Sequence, residues 1–537
     1  MKRKFLTLCT AVGLMATGVY AEVATQTNVT RLYIATFDRT PDIAGLNYWV
    51  GSSNLSLESI AQSFFDQEET KAKYPEGTTS TDFIDAIYTN LFQRSPDSAG
   101  SDYWVGELDS GSVSNSVFIL AVVNGAIGDD ATILQSKTQE ALSELGIGQS
   151  SYTIVDTSQE NCFTSKGLST ECASSGQDGA YSTNSMSYTD NGDLTVTDNV
   201  TGLMWQQTAD RDGNGEVKAV DKLSQSDAIS YCSNLSLAGY SDWRLPDIKT
   251  IYSLMNFSGS DPSGETGDDT SSLEPFIDNT VFGFGYGDTD AGERIIDGQW
   301  ATTTNYVSTT MNGDATMFGL NFADGRIKGY GLELRGIDKM FYVQCVRDNE
   351  NYATNSFVDN GDMTITDSAT ELMWHKNDNS TETNWDSAIS YCENSTLAGY
   401  SDWKLPDAKE LQSIVDYTRS PDTTASPAIN AIFNATAITN EAGVSDFGFY
   451  WSSTTHKSSN GTGASAVYVS FGRSLGYMDS TWMDAHGAGA QRSDPKDISL
   501  LDTSSEDYVI VDGAITHGPQ GDVIRGLNFS RCVREVE

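Results

Sequence analysis

This chain is duplicated twice over, in two unrelated ways, and that self-similarity limits its fold more than any single motif does. The larger repeat fills the C-terminal part. Residues 190–198 (DNGDLTVTD) return as 359–367 (DNGDMTITD). Leu203-Met204-Trp205 returns as Leu372-Met373-Trp374, and AISYC at 228–232 returns at 388–392. AGYSDWRLPD at 238–247 returns at 398–407 with Lys404 in place of Arg244. Trp300-Ala301-Thr302-Thr303-Thr304 pairs with Trp451-Ser452-Ser453-Thr454-Thr455. Each copy closes on an alternating strand, YVQCVR at 342–347 and FSRCVR at 529–534. Inside a copy the order is strand, Trp segment, helix, AGYSDW, helix, long loop, strands. The loop spans 256–298 in the first copy and 416–448 in the second. Loops beyond about 12–15 residues are usually functional or disordered. Asn-Gly at the centre of DNGD predicts a β-turn, and Pro246 and Pro406 fit the first turn of a helix.

The smaller repeat lies upstream. Tyr33, Phe37, Arg39, Pro41, Asp42, Gly45, Tyr48 and Trp49 recur as Tyr88, Phe92, Arg94, Pro96, Asp97, Gly100, Tyr103 and Trp104. Val29, Leu32, Tyr33 and Phe37 keep helical spacing, as do Phe83, Ile84, Ile87, Tyr88 and Leu91. The Pro-Asp step stops each helix and turns the chain. Ser56 is placed to cap the helix that follows. Trp49 and Trp104 read as core. This is a small all-α domain built from a duplicated hairpin.

Charge narrows the partners. Against 32 Lys and Arg stand 74 Asp and Glu, a net charge of −42 in 537 residues. Such a field repels nucleic acid, polyanionic polymers and anionic membrane. It suits cations, neutral ligands or saline surroundings. Aromatic residues at 10% with ten Trp exclude a disordered acidic tail. The chain opens M-K-R-K, continues with a short apolar run and reaches Val19-Tyr20-Ala21, the pattern of a secretory signal peptide. The run is too short to span a bilayer, and no later stretch is apolar enough for membrane insertion. The expected domains are a signal peptide at 1–21, the helical domain at 22–148, and two α+β domains at 149–349 and 350–537. The expected location is outside the cytoplasm: extracellular or cell-surface, with the periplasm as the alternative.

Six cysteines remain after the leader, an even number suited to disulfides in an exported chain. Each large copy has one on a helix and one on its last strand. Equivalent bridges in duplicated units predict Cys232–Cys345 and Cys392–Cys532, with Cys162 and Cys172 pairing locally. Free thiols or a metal site are the alternative, though neither His nor C-x-x-C spacing supports a metal.

The DNGDxTVTD, LMW and AGYSDWRLPD strings, each present twice in order, resemble the Lcl C-terminal domain family, usually described as a domain of unknown function. The family is similar in fold to C-type lectins and formylglycine-generating enzymes. The resemblance implies a multidomain chain with two C-type-lectin-like α+β domains. It also implies adhesion by glycan binding. The family's type member is an adhesin for sulfated polysaccharide, a ligand that this acidic surface disfavours. The helical repeat resembles another domain of unknown function, similar to phycobilisome-linker domains, which implies an interaction module.

Two sets of candidate site residues follow. Asp210, Asp212 and Asn214 take positions 1, 3 and 5 of a calcium loop, Gly215 the turn, Glu216 a backbone carbonyl, and Asp221 position 12. A polar turn is the alternative. The second copy has Asp378-Asn379-Ser380 there, so any Ca2+ site is not duplicated. For a ligand, Trp300 and Trp451, with Asn305 and Asn321, suit a sugar ring near the surface implied by the lectin-like fold; core packing is the competing reading. Trp243 and Trp403 read as core. The four His show no metal or triad spacing, and no nucleophile or phosphate-loop motif appears. The expectation is a non-enzymatic, adhesin-like protein that binds a glycan or a surface protein, with its oligomeric state open. A structural envelope or matrix protein is one alternative, and an enzyme on the same fold is the other.

Overall fold

The computed structural model describes residues 24–536, apart from 54, 127–128, 146–150, 266 and 506–507. The expected signal peptide lies outside the described residues. The chain forms two compact units, Met1–Gln149 and Ser150–Glu537. Among the described residues no helix is long and apolar enough to cross a membrane.

The first unit is helical, as its repeat predicts. Helix Gln26–Phe37 starts on a capping box at Thr25 and ends where Asp38 turns left-handed at φ 53°. Helix Ser80–Phe92 ends the same way at Gln93, φ 56°. Asp42 and Asp97 then cap the next helices, each accepting the N–H of the glycine three residues on at 2.8 Å. Ser56 caps helix Leu57–Phe65. The repeated arginine has a clear task. Arg39 folds back over the Tyr33 ring at 5.2 Å and grips Glu69 with two N–H groups, at 2.7 and 2.8 Å. Arg94 does the same over Tyr88, holding Asp130. Trp104 is buried and Trp49 part-buried against this core.

In the second unit each copy is sealed by its last strand, and the cysteine bridges are those that the repeat predicts. Strand Val346–Arg347 pairs with Met204–Gln206, and Val533–Glu535 pairs with Leu372–His375. Bridges join Cys232 to Cys345, Cys392 to Cys532, and Cys162 to Cys172. The AGYSDW motif locks the last strand. Arg347 lies 3.7 Å over the Tyr240 ring and donates to both Asp242 oxygens at 2.8 and 2.9 Å. Arg534 repeats this over Tyr400, 4.0 Å away, with Asp402. Trp243 and Trp403 are buried behind these pairs. Pro246 and Pro406 stand just outside their helices, which are capped by Asp247 and Asp407. The DNGD connection is a four-residue loop between Tyr188–Asp190 and Thr195–Asp198, wider than the expected two-residue turn.

The two copies are not independent modules. Strands Phe449–His456, Ser465–Ser470 and Gln491–Pro495 of the second copy join Arg326–Gly331, Asp314–Asn321 and Gln299–Trp300 of the first in one sheet. The junction is the pair Gln491↔Ile327. One apolar core runs through both, taking in Trp205, Trp300 and Phe276 from one copy and Trp374, Tyr450 and Phe529 from the other. Two equivalent lysines cross this seam. Lys249 donates to the Ser413 carbonyl at 2.6 Å, ending the second copy's helix, and Lys409 donates to the Ser253 carbonyl at 2.9 Å, ending the first copy's. The physical reason for the merger is the open edge of Arg326–Gly331, which must be paired or covered. Strand Gln491–Pro495, from a stretch that the first copy lacks, pairs with it.

Candidate functional site

The acidic loop lies between strand Met204–Gln206 and helix Gln225–Asn234, and its own side chains shape it. Asp210 accepts the N–H of Gly213 and of Gly215, each at 2.8 Å. Asp212 accepts from Asn214 at 3.0 Å, and Asn214 from Glu216 at 2.8 Å. These local turns need left-handed glycines, and Gly213 and Gly215 supply φ of 73° and 89°. Asp221 is fully buried beneath, accepting from Arg211 at 2.8 Å and Lys218 at 2.9 Å. Arg211 turns its charge away, over the Tyr231 ring and onto the Asp221 carbonyl. The backbone N–H of Gly215, helped by those of Gly213 and Asn214, holds the Asp210 carboxyl below its ordinary range.

Carboxylate oxygens of Asp210, Asp212 and Asp221 lie within 4.8 Å of one another. Calcium binds oxygens at about 2.3–2.6 Å, so opposite ligands of one ion sit about 5 Å apart. The donor set is all hard oxygen, which fits that ion. Of the five predicted ligands the fold gathers these three carboxylates. Asn214 and Glu216 are exposed on the loop. The second copy has no such cluster among the described residues. Asp378 spends its oxygens on Ser380, Thr436 and the Tyr450 hydroxyl.

The predicted ligand residues are corrected by their burial. Trp300 and Trp451 are fully buried. Trp300 packs among Phe284, Phe322 and Tyr342, and Trp451 donates to the Thr383 carbonyl at 2.9 Å. Asn321 is buried and ties the Ile296 carbonyl to the Ala323 N–H. Asn305 alone is exposed, its carbonyl taken by Gln225 at 2.9 Å. Both indoles are interior to the second unit, so neither offers a face. The part of the long loop around 275–282 is likewise pinned, with Phe276, Ile277 and Phe282 buried.

The structure offers a different cleft in the second copy, with a volume of about 440 Å³. His375, Asn377, Asp378, Tyr391, Ser395 and Leu397 line it. The His375 imidazole meets the Ser395 hydroxyl at 3.1 Å and the Trp403 ring edge-on at 4.4 Å. Burial, with the nearby Arg531 charge, pushes it down to about 4, so it is neutral at neutral pH. No carboxylate oxygen lies within 4.0 Å of its nitrogens among the described residues. Tyr391 leaves 40% of its surface exposed beside these groups. At the same place in the first copy Gln206 bonds the Tyr231 hydroxyl at 3.1 Å, and Arg211 of the acidic loop lies 5.8 Å over that part-buried ring. Sequence reasoning missed this cleft. Its signal was the change from LMWQ to LMWH within an otherwise kept motif.

The fold thus defines a class: a helical repeat domain followed by a duplicated, disulfide-sealed α+β unit whose copies have diverged at one equivalent surface. The chain belongs to the Lcl C-terminal domain family, whose model matches residues 194–347 and 363–486, just over half of its length. Residues 61–126 match a domain of unknown function, DUF4214. No curated protein and no solved structure matches the chain.

Proposed function

We propose that this is an exported, non-enzymatic, adhesin-like protein that binds a neutral glycan in the second copy's cleft, while calcium braces the first copy's acidic loop. One observation carries the reading: Tyr391 stands exposed beside a neutral imidazole, a hydroxyl, an amide and the Asp378 carboxylate, where the first copy has Arg211 over a part-buried Tyr231. An aromatic face with hydrogen-bond donors and acceptors, the Asp378 carboxylate among them, matches a sugar ring and its hydroxyls. The net charge of −42 favours a neutral ligand over a sulfated one. Three disulfides point to an oxidising compartment, in line with export to the surface. With every cysteine after the leader bridged, no thiol remains for formylglycine-type chemistry.

A glycan array with and without calcium tests this. Neutral polysaccharides should bind, and Tyr391→Ala should weaken them at least tenfold, with Tyr231→Ala without effect. Blank arrays and blank cell-binding assays under both conditions would remove the reading. A surface protein as ligand would appear as cell binding that survives glycosidase treatment. A purely structural envelope or matrix role is favoured by a separate observation, the anchoring of Phe276, Ile277 and Phe282 of loop 256–298 in the core.

A further inference from the structure

Residues 159–181 precede the first copy in sequence, yet they pack on the second. Gln159 clasps the Thr455 backbone, donating to its carbonyl and accepting its N–H, each at 2.7 Å. Asp178 is buried and accepts from the Thr454 hydroxyl. The Tyr181 ring lies 5.0 Å from the Lys404 ammonium, and its hydroxyl donates to Glu393 at 2.7 Å. Gly176 sits so close to Ile389 that a Cβ there would come within 2.5 Å of that side chain. The Cys162–Cys172 bridge closes the segment on itself.

This seat has a twin on the first copy. Thr304 and Thr454 hold equivalent places, accepting the N–H of Ile248 and of Ala408, each at 2.9 Å. Gln225 and Trp385 match in the same way, donating to the Thr302 carbonyl at 2.9 Å and the Ser452 carbonyl at 2.7 Å. In the repeated motifs Ile229 answers to Ile389, and Arg244 to Lys404. The chain has one segment for these two seats. Only residues 348–356 separate the last strand of the first copy from the first strand of the second, and Tyr352 among them is buried in the shared core. The first copy's seat is therefore uncovered. Ile229 is 44% exposed against 6% for Ile389. Thr303 and Asn305 are exposed where Ser453 and Thr455 are buried.

Two groups show what the uncovered seat lacks. Lys404 has Glu410 at 2.8 Å and feels the charge of Asp178 from the segment. In the first copy Thr250 stands in the place of Glu410. Among the described residues no carboxylate oxygen lies within 4.0 Å of the Arg244 guanidinium, and no hydrogen bond engages it. Glu350, Asp247, Asp348 and Asp242 act on it from farther away, and burial still holds it below its usual range. The Thr304 hydroxyl is the second group. Thr454 gives its proton to Asp178, whereas that of Thr304 has no protein acceptor among the described residues.

We propose that this face of the first copy docks an extended acidic segment of a partner protein, seated as residues 159–181 are on the second copy. A carboxylate of the partner reaches Arg244 and the Thr304 hydroxyl, and a glycine or other small residue packs on Ile229. Backbone-led capture of an extended segment beside a strand is a recurring mode of peptide recognition. The face is separate from the cleft and from the acidic loop, and it does not depend on glycan binding.

The test uses the full chain and a labelled synthetic peptide with the sequence of residues 159–181, its disulfide closed. Fluorescence anisotropy should show binding of one peptide per chain below about 1 mM. Arg244→Ala should weaken it roughly tenfold, and Arg244→Lys, the residue type that the second copy uses, should keep most of it. Ile229→Glu, on an exposed helix face where the fold tolerates it, should weaken binding by a similar factor through clash and repulsion. Asp178→Asn in the peptide should cost as much as Arg244→Ala, and the two together little more than either alone, because they remove one contact. No binding up to about 1 mM peptide overturns the proposal. Binding that is unchanged in both Arg244→Ala and Ile229→Glu places the peptide elsewhere, the second copy's own seat included, and overturns it too.

Discussion

Removing the Cys232–Cys345 bridge tests whether the seam makes the two copies one folding unit. The bridge closes a loop of 113 residues. Loop-closure entropy for that length corresponds to roughly 4–5 kcal/mol. Both cysteines are fully buried among Trp243, Leu245, Phe341 and Val343, so the double alanine variant Cys232→Ala/Cys345→Ala suits the site better than serine. If the copies were separate domains, only the first would lose stability. The shared sheet and core say otherwise. Urea unfolding of the variant should show one transition, shifted by the full amount. Hydrogen exchange should report the loss equally in peptides of both copies. Two transitions, with only 188–347 shifted, would refute the argument that Gln491↔Ile327 and the exchanged lysines bind the halves together.

Other predictions follow from single sites. Asp221→Asn should abolish any calcium-induced rise in melting temperature, while Asp378→Asn should leave that response intact; a response unchanged in Asp221→Asn would dismiss the loop as a cation site. His375, His456 and His486 are each pushed down to about 4 by burial. The unfolded chain takes up these protons below about 6.5, so their contribution is complete above that pH and is lost as pH falls towards about 4. Asp178 and Asp484, pushed up to about 7 by burial, act in the opposite sense in that window. The difference between wild type and His375→Gln is therefore the readout. The variant should lose up to about 1.4 kcal/mol per pH unit of acid sensitivity, measured by urea melts at several pH values. Arg347→Lys gives up the fork on Asp242 and the stack on Tyr240. It should cost about 0.5–1 kcal/mol, and a double-mutant cycle with Asp242→Asn should recover most of that as coupling.

What the sequence makes legible is what repeats. The cysteine pairings and the helical hairpins follow from duplication, because equivalent residues adopt equivalent partners; that each last strand pairs with its LMW strand is seen only in the structure. The seam is not legible for the opposite reason. Strand Gln491–Pro495 belongs to a stretch with no counterpart in the first copy, and it meets Arg326–Gly331 through one register pair. Periodicity marks a strand but does not name its neighbour. Trp300 and Trp451 mislead because hydroxyl-rich strands look exposed. Here Thr302, Ser452, Ser453 and Thr454 are buried with them, and Thr302 and Ser452 satisfy their hydroxyls on the Phe318 and Val467 carbonyls. The acidic loop is legible because its ligands are local in sequence. The cleft is not, since His375, Tyr391 and Ser395 come together only when strand and helix pack.

The contrast between kept and changed positions carries its own argument. Tyr240 and Tyr400, Asp242 and Asp402, Arg347 and Arg534, and Lys249 and Lys409 are pairs, and each member makes its twin's contact. All of them hold strands or helices in place. The surfaces that differ are those free of that work. Gln206 stands where the second copy has His375, and Tyr391 has no counterpart of Arg211 over its ring among the described contacts. Fusion through one core means that stability no longer depends on both outward faces staying alike. One copy is then free to close its face with a carboxylate loop and the other to open a cleft. The proposed binding sites therefore lie where the two copies differ, and the matched motifs are framework.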